Sequence, residues 1–290
     1  MQELPLLKHQ TPGIQAIDCL GWQAGFAFRA YGVDVGVRTN FPELVDKIKK
    51  LLPLDSVFLE DGSAVDFLFS VVWDEEKQGI GEFYRNAETK ICYGDFNERL
   101  DQLESHLRLT IAEFAPNLVF VHAGAVGWNE KAIIIPGSSF SGKTTLTAEL
   151  VRAGAVYYSD EYAIFDENGF LLAFPKPLSI RESWAAGKQV DKHVEAIGGR
   201  QGREPLRVSG VIVTRFEAGA VWQPRQLSSG QGVLELLAHT VSARTNPQLA
   251  LKILPKAVEN ALILQSSRGD ASSVAQAVLD VFEKHERLVA

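Results

Sequence analysis

The chain has 290 residues, 46% of them hydrophobic and 22% charged, with a formal net charge of −7 and a sequence pI near 5.5. That length suits one large domain or two modest ones, and the acidic balance argues against a nucleic-acid binder, which needs a basic face for phosphates. No apolar run is long enough to span a bilayer, residues 1–10 lack a charged-then-apolar signal pattern, and the two distant cysteines, Cys19 and Cys92, match no metal spacing; the expectation is a cytoplasmic protein with neither a membrane nor a nucleic-acid partner.

Residues 22–38 are rich in aromatic and β-branched side chains punctuated by Gly25, Gly32 and Gly36. They read as one or two strands with Phe26 and Phe28 on one face. Residues 41–52 read as a short helix, 64–73 as a strand, and 81–93 as a hairpin. The clearest helix is 96–114. Leu100, Leu103, Leu107, Ile111 and Phe114 fall on one stripe, while Glu98, Arg99, Asp101, Glu104 and Arg108 are predicted to fall away from it. Pro116 ends it. Residues 1–115 are therefore expected to form a small N-terminal α+β module, and 116–290 a second, nucleotide-binding catalytic domain.

Residues 118–126 read as a buried strand that carries one histidine, His122. Asn129-Glu130 turns into a second apolar run, Ala132 to Ile135. There follows Gly137-Ser138-Ser139-Phe140-Ser141-Gly142-Lys143-Thr144, the G-x-x-x-x-G-K-[ST] spacing of a phosphate-binding loop, with a helix-forming segment from Thr145 to Arg152 behind it. Chance gives this four-position match on the order of once in a hundred such chains, and strand before and helix after is the context that confirms it. Glycine lets successive N–H groups turn inward, and these join the helix N-terminus as an anion site. Lys143 adds a point charge, and the Thr144 hydroxyl suits magnesium, which favours oxygen ligands. The candidate nucleotide-binding residues are thus Gly137, Ser138, Ser139, Phe140, Ser141, Gly142, Lys143, Thr144 and Thr145.

Residues 155–159 read as a short strand ending in two adjacent acids, Asp160 and Glu161, one crossover helix beyond Lys143. Strand ends are where ligands sit in α/β sheets, so the two acids are expected beside the phosphate loop. A hairpin around Asn168-Gly169 follows, then an extended segment, 175–181, ending at Arg181. Residues 185–204 read as a basic, glycine-rich loop that is either a lid or disordered. A strand is expected over 206–216, a shorter one over 220–223, and helices thereafter: 231–242, 247–254, a third with Pro255 as its first residue, and a last one capped by Asp270 and running to His285. His239 and Arg244 lie near helix ends and could reach the site, though nothing in the sequence requires it.

Taken together, His122-Ala123-Gly124, the loop Gly137–Thr144 and Ser159-Asp160-Glu161 resemble the catalytic core of the HPr kinase/phosphorylase family. Phe174-Pro175-Lys176-Pro177-Leu178 looks like the divergent branch of HPr-kinase-related proteins associated with modified-peptide biosynthesis. The match is good over residues 118–181 and loose beyond. The resemblance implies a mixed-sheet α/β (α+β) core similar to phosphoenolpyruvate carboxykinase, with the phosphate loop embedded in the sheet. It implies ATP and Mg²⁺ as cofactors and transfer of the γ-phosphate to a serine or threonine hydroxyl of a peptide or protein, a small hydroxylated metabolite being the other acceptor class. Asp160 matches the family's catalytic aspartate, which takes the hydroxyl proton. His122 matches its histidine near the phosphates, and Glu161 stands where the family has a second aspartate. Thr144, Asp160 and Glu161 form the implied metal side. Lys143, with Arg181, would neutralise charge on the transferring group.

The family's downstream Glu-Ile-Arg-Gly motif has only partial counterparts. Leu206-Arg207-Val208-Ser209-Gly210 lacks its Glu and Arg at their places, and Pro177-Leu178-Ser179-Ile180-Arg181 keeps an arginine. Reverse phosphorolysis and recognition of HPr itself are therefore outside what the resemblance implies. Two other readings stay open beside the kinase: a nucleotide-responsive binding module, and an ATP hydrolase with no acceptor. Homo-oligomer formation is left open.

Overall fold

Residues 24–39 form a hairpin because two β-branched, aromatic-rich runs meet at Tyr31-Gly32, both at left-handed φ (50° and 82°), the turn that matches strand twist. The computed structural model describes residues 3–76, 78–138, 141–181 and 189–289, the side chains of 179–181, 189–191 and 289 excepted. The chain divides into two compact units, Met1–Pro116 and Asn117–Ala290, and both mix helices with sheets of mixed strand direction.

The first unit contains β1 (Leu6–Leu7), α1 (Ile14–Asp18), β2 (Ala24–Ala30), β3 (Val33–Thr39), α2 (Val45–Lys49), β4 (Val57–Phe58), β5 (Ala64–Val65), β6 (Phe67–Asp74), β7 (Gly79–Arg85), β8 (Glu88–Ile91) and α3 (Phe96–Phe114). Its main sheet runs β4-β2-β3-β6-β7-β8. Helix α3 starts at a capping box, with the Asp95 side chain accepting from the Glu98 N–H and Glu98 reaching back to Asp95 N. It buries Leu103, Leu107 and Ile111 as expected. The ends of the stripe differ from expectation: Phe114 is exposed and Arg108 is buried. Arg108 can lie inward because its guanidinium pairs with Glu104, one turn earlier, while its aliphatic stem packs.

The second unit contains β9 (Val119–Trp128), β10 (Lys131–Pro136), α4 (Lys143–Arg152), β11 (Val156–Ser159), β12 (Tyr162–Phe165), β13 (Leu171–Leu172), β14 (Leu178–Arg181), β15 (Gln189–Lys192), β16 (Arg207–Phe216), β17 (Arg225–Gln226), α5 (Ser229–Ala238), α6 (Pro247–Ala257), β18 (Leu262–Arg268) and α7 (Ala271–Val289). Among the described residues its main sheet runs β13-β12-β9-β10-β16-β18-β17, with β11 also paired to β9. Strand β10 is antiparallel to β9 on one side and parallel to β16 on the other. The run Ile133-Ile134-Ile135 is continuous rather than alternating because both faces are covered. Ile133 and Ile135 pack with Leu146 and Leu150 of α4 and with Val278 and Phe282 of α7. Ala132 and Ile134 pack with Leu236 of α5 and with Ile253 and Leu254 of α6.

Three expectations fail in this unit, and a fourth is narrowed. The short strand predicted over 220–223 lies instead at Arg225–Gln226, on the sheet edge against β18. Pro255 does not start a helix; α6 runs through it. A proline three residues from a helix end removes only one backbone bond, and the apolar face of α6 holds the turn in place. The tail is not all helical either: β18 is a strand inside the sheet, parallel to β16. Finally, the described part of the 185–204 segment is structured. Strand β15 pairs with β14, Gln201 bridges Tyr157, and Gly199 and Gly202 lie against Val151 and Tyr158 with no room for a side chain. Residues 182–188 lie outside the described residues.

Candidate functional site

The site grows from one point on β9. At Ala123 the strand has Pro136, the last residue of β10, as its partner on one side. On the other side the Ala123 N–H donates to the Glu161 carbonyl (3.1 Å), and His122 pairs with Tyr162. The start of the glycine loop, residues 137–144, and the acid pair therefore flank one residue of one strand, two strand spacings or about 10 Å apart in the backbone.

The loop side is built around two glycines. Gly142 precedes α4 at φ +86°, and no side chain caps the helix among the described residues, so the first N–H groups of α4 are available to an anion. A Cβ on Gly137 would stand 2.6 Å from Ser141 Oγ. That buried hydroxyl has no partner among the described residues. Lys143 is 7% exposed, and its ammonium donates to the Ser138 carbonyl at 2.8 Å. Burial pushes its pKa down to about 8, while Asp160 acts upward. Thr144 is half-buried and Thr145 exposed on the same turn. Ser139 and Phe140 lie outside the described residues.

The acid side is shaped by Ser159. Its buried Oγ accepts from the N–H groups of Glu161 (3.0 Å) and Tyr162 (2.9 Å), closing a tight turn between β11 and β12. Asp160 is 6% exposed and its Oδ1 accepts from the Tyr157 hydroxyl at 2.8 Å. The same hydroxyl lies 2.9 Å from the Lys176 carbonyl. Burial, then the charge of Asp160, pushes the Tyr157 phenol far up, so it stays a proton donor at any working pH. The Lys176 ammonium pairs with Glu161 Oε2 at 3.0 Å. The segment Phe174-Pro175-Lys176-Pro177 thus covers the acid turn; the prolines hold it extended.

Between the two sides sits His122. Its pKa is lowered to about 4, first by burial, then by the charge of Lys143, with Glu161 opposing and His239 reinforcing. The imidazole is neutral at physiological pH. His239 is also shifted down, by burial and by Lys143, and its carbonyl accepts from the His122 N–H at 2.8 Å. His122, Lys143, Asp160, Glu161 and His239 thus act on one another electrostatically.

No family model matches the chain, and no curated protein matches it either. The residues themselves carry the case.

One predicted element falls elsewhere, and another is not described. The Arg181 side chain lies outside the described residues. The segment Leu206–Gly210, considered as a counterpart of a downstream family motif, is at the wrong end of the sheet: Arg207 pairs with Lys131 at the start of β10, five residues or about 17 Å from Pro136.

Three residues missed by sequence reasoning belong to the site: Tyr157, Lys176 and Arg268. Arg268 ends β18, is 2% exposed, and donates to the carbonyls of Gly142 (2.8 Å) and Gly269 (3.0 Å). It lies directly under the glycine loop, where a Cβ on Gly142 would stand 2.5 Å from its Nη2. Lys176 was visible in the Pro-Lys-Pro spacing. Arg268 has no signal in the sequence, because the pattern around it predicts helix.

Among the described residues no group of three or more His, Cys, Asp or Glu is gathered as a metal-binding set. Magnesium does not need one; one or two carboxylates plus phosphate oxygens and water suffice. Thr144, Asp160 and Glu161 fit that donor class, with Glu161 at present paired to Lys176.

Proposed function

We propose that the second unit is an ATP-dependent kinase that transfers the γ-phosphoryl group to a serine or threonine hydroxyl of a peptide or protein in the cytoplasm. The observation that carries this reading is the position of Ala123, between the strand that opens into the phosphate loop and the turn that presents Asp160. An acceptor hydroxyl placed between them would meet a carboxylate on one side and a phosphate on the other.

In this reading the α4 N–H groups, Ser141 and Lys143 bind the phosphates, and Arg268 holds the loop from below. Asp160 orients the acceptor hydroxyl and accepts its proton as the oxygen attacks the γ-phosphorus and the bond to ADP breaks. Tyr157 keeps Asp160 in place. His122, neutral, adds a hydrogen bond beside the phosphates without adding charge. Magnesium, held by Thr144 and the acid pair, would supply charge neutralisation on the phosphate oxygens. Catalysis of this kind rests on positioning and electrostatics. The mixed sheet around β10 supports a core of the phosphoenolpyruvate-carboxykinase-like type, and the preference for a peptide acceptor rests on the resemblance alone.

The test is incubation of the full chain with γ-labelled ATP, magnesium and a serine/threonine peptide library. Label on peptide, lost in Asp160→Asn, is the expected result. ATP bound with no transfer would favour a nucleotide-responsive binding module, and phosphate release without an acceptor an ATP hydrolase.

A further inference from the structure

At the opposite end of the same sheet, where β10 and β16 begin, lies a cleft of about 220 Å³. It is closed by the β12–β13 turn, the end of α6 and the end of α7. Three cations, Lys131, Arg207 and Lys256, line it in a chain whose net charge is −7. Arg207 and Lys131 make no ion pair among the described residues. The Arg207 guanidinium lies over the Phe170 ring, 4.5 Å from its centroid. Lys256 donates to the Glu167 carbonyl at 2.9 Å, a neutral partner that leaves its charge uncompensated.

Two further features belong to the lining of the cleft. The β10–β16 register slips after Ala132, so that Ile133 pairs with Gly210 and Ser209 has no partner residue on β10. Bulges of this kind re-aim a side chain and gather near functional sites. Ser209, 5% exposed, lines the cleft, and its hydroxyl reaches the Ala132 carbonyl only at 3.5 Å, the outer limit of a hydrogen bond. Glu286 also lines the cleft, and its Oε1 is buried with no partner among the described residues. A buried acceptor without a donor is costly.

We propose that this cleft binds a small amino acid or hydroxy acid. The carboxylate sits on Arg207, with Lys131 and Lys256 around it, and the ammonium or hydroxyl group donates to the Glu286 carboxylate. A simple polyanion would satisfy the cations but meet Glu286 and the neighbouring Glu259; a molecule with both signs, or with a donor beside its carboxylate, satisfies both halves. The volume is below the roughly 300–1,000 Å³ of sites for drug-sized ligands, which fits a ligand of this size. The inference stands apart from the kinase reading, since the cleft and the phosphate loop lie at opposite ends of β10.

The experiment is titration calorimetry and thermal melting of the full chain with the common amino acids, lactate and malate, and with acetate and inorganic phosphate as controls. At least one amino or hydroxy acid should bind at micromolar to low millimolar concentration, and acetate and phosphate about tenfold or more weaker. Arg207→Ala should weaken that ligand about tenfold or more, with the unliganded melting temperature nearly unchanged because Arg207 is exposed; if that variant does not fold, Lys256→Met carries the same prediction. Glu286→Gln should remove the preference over acetate. No binding by any member at millimolar concentration, equal binding of acetate or phosphate, or full affinity in a folded Arg207→Ala protein would overturn the proposal.

Discussion

The Tyr157 hydroxyl is shared between Asp160 Oδ1 at 2.8 Å and the Lys176 carbonyl at 2.9 Å, so one proton ties the acid turn to the segment that covers it. Tyr157→Phe removes that proton and keeps the ring. The buried acceptors it serves should then cost about 1–3 kcal/mol of stability. Nucleotide affinity should hold, because Tyr157 is on the acid side, while phosphoryl transfer should fall about 10- to 100-fold through loss of positioning. Calorimetry with ADP beside a transfer assay separates the two. An equal fall in both would place Tyr157 in general stability alone.

Asp160→Asn is nearly isosteric and still accepts from Tyr157, so the protein should fold and bind ATP. Transfer should drop by about 10²- to 10⁴-fold, the usual worth of a general base. Removal of the negative charge also withdraws the influence that raises the Lys143 pKa, so nucleotide affinity measured above pH 8 should fall slightly more than at pH 7. Unchanged transfer in Asp160→Asn would remove the base assignment.

Lys143 is a buried cation with a folded pKa near 8 against 10.5 for the free side chain. Between those values the unfolded chain binds more protons than the folded one, so stability rises with pH across pH 8 to 10.5. Below pH 8 the charge is held at a cost on the order of 3 kcal/mol, set against its bond to Ser138. Lys143→Met should accordingly melt higher than the parent at pH 7, with the gap closing toward pH 10, and should no longer bind ATP. A lower melting temperature at pH 7 would show that the ammonium is a net structural contact rather than a charge kept for phosphate.

His122 gives the opposite end of the pH scale. Its folded pKa of about 4 lies below the ordinary 6.5. The unfolded chain takes up the proton first as pH falls, so stability is lost from about pH 6.5 down to pH 4, by roughly 3 kcal/mol in all. His122→Gln should flatten that part of the stability profile. Denaturant melts at half-unit pH steps test it, and a profile with the same slope in both proteins would assign the loss to other groups, His239 first.

How much of this was legible in the residues divides along locality. The glycine loop before α4, the Asn129-Glu130 turn, α3 and the acid pair after β11 are each set by local side chains, and the sequence shows them. Strand β18 was not visible, because Leu262-Ile263-Leu264 is too short an apolar run to tell strand from helix. Its place in the sheet comes from β16, far away in the chain, and its second half, Gln265 to Arg268, is polar. The burial of Arg108 and the passage of α6 through Pro255 were likewise decided by neighbours that no local pattern contains. The acid pair could be put near Lys143 from the short crossover, but the intervening β9 residue, and the Lys176 contact, needed coordinates.

Arg268 is the sharpest consequence of that hidden strand. Its guanidinium is almost fully buried, has no ion pair among the described residues, spends two N–H groups on the carbonyls of Gly142 and Gly269, and leaves Nε without a partner among the described residues. Burial lowers its pKa, with only Asp270 acting upward. A charge kept on those terms is a liability to the fold, and an apolar side chain of similar length is often neutral or stabilising in such a place. It becomes favourable once an anion lies on the other side of Gly142. Arg268→Met should therefore melt at the same temperature as the parent or higher without ligand, yet lose most of the stabilisation that ATP confers, with affinity down about tenfold or more. Arg268→Lys, which keeps the charge but cannot reach two carbonyls in one plane, should recover part of the affinity and little of the transfer rate. Melting curves of the three proteins with and without nucleotide decide it. Equal nucleotide-induced shifts in all three would reduce Arg268 to packing under the loop.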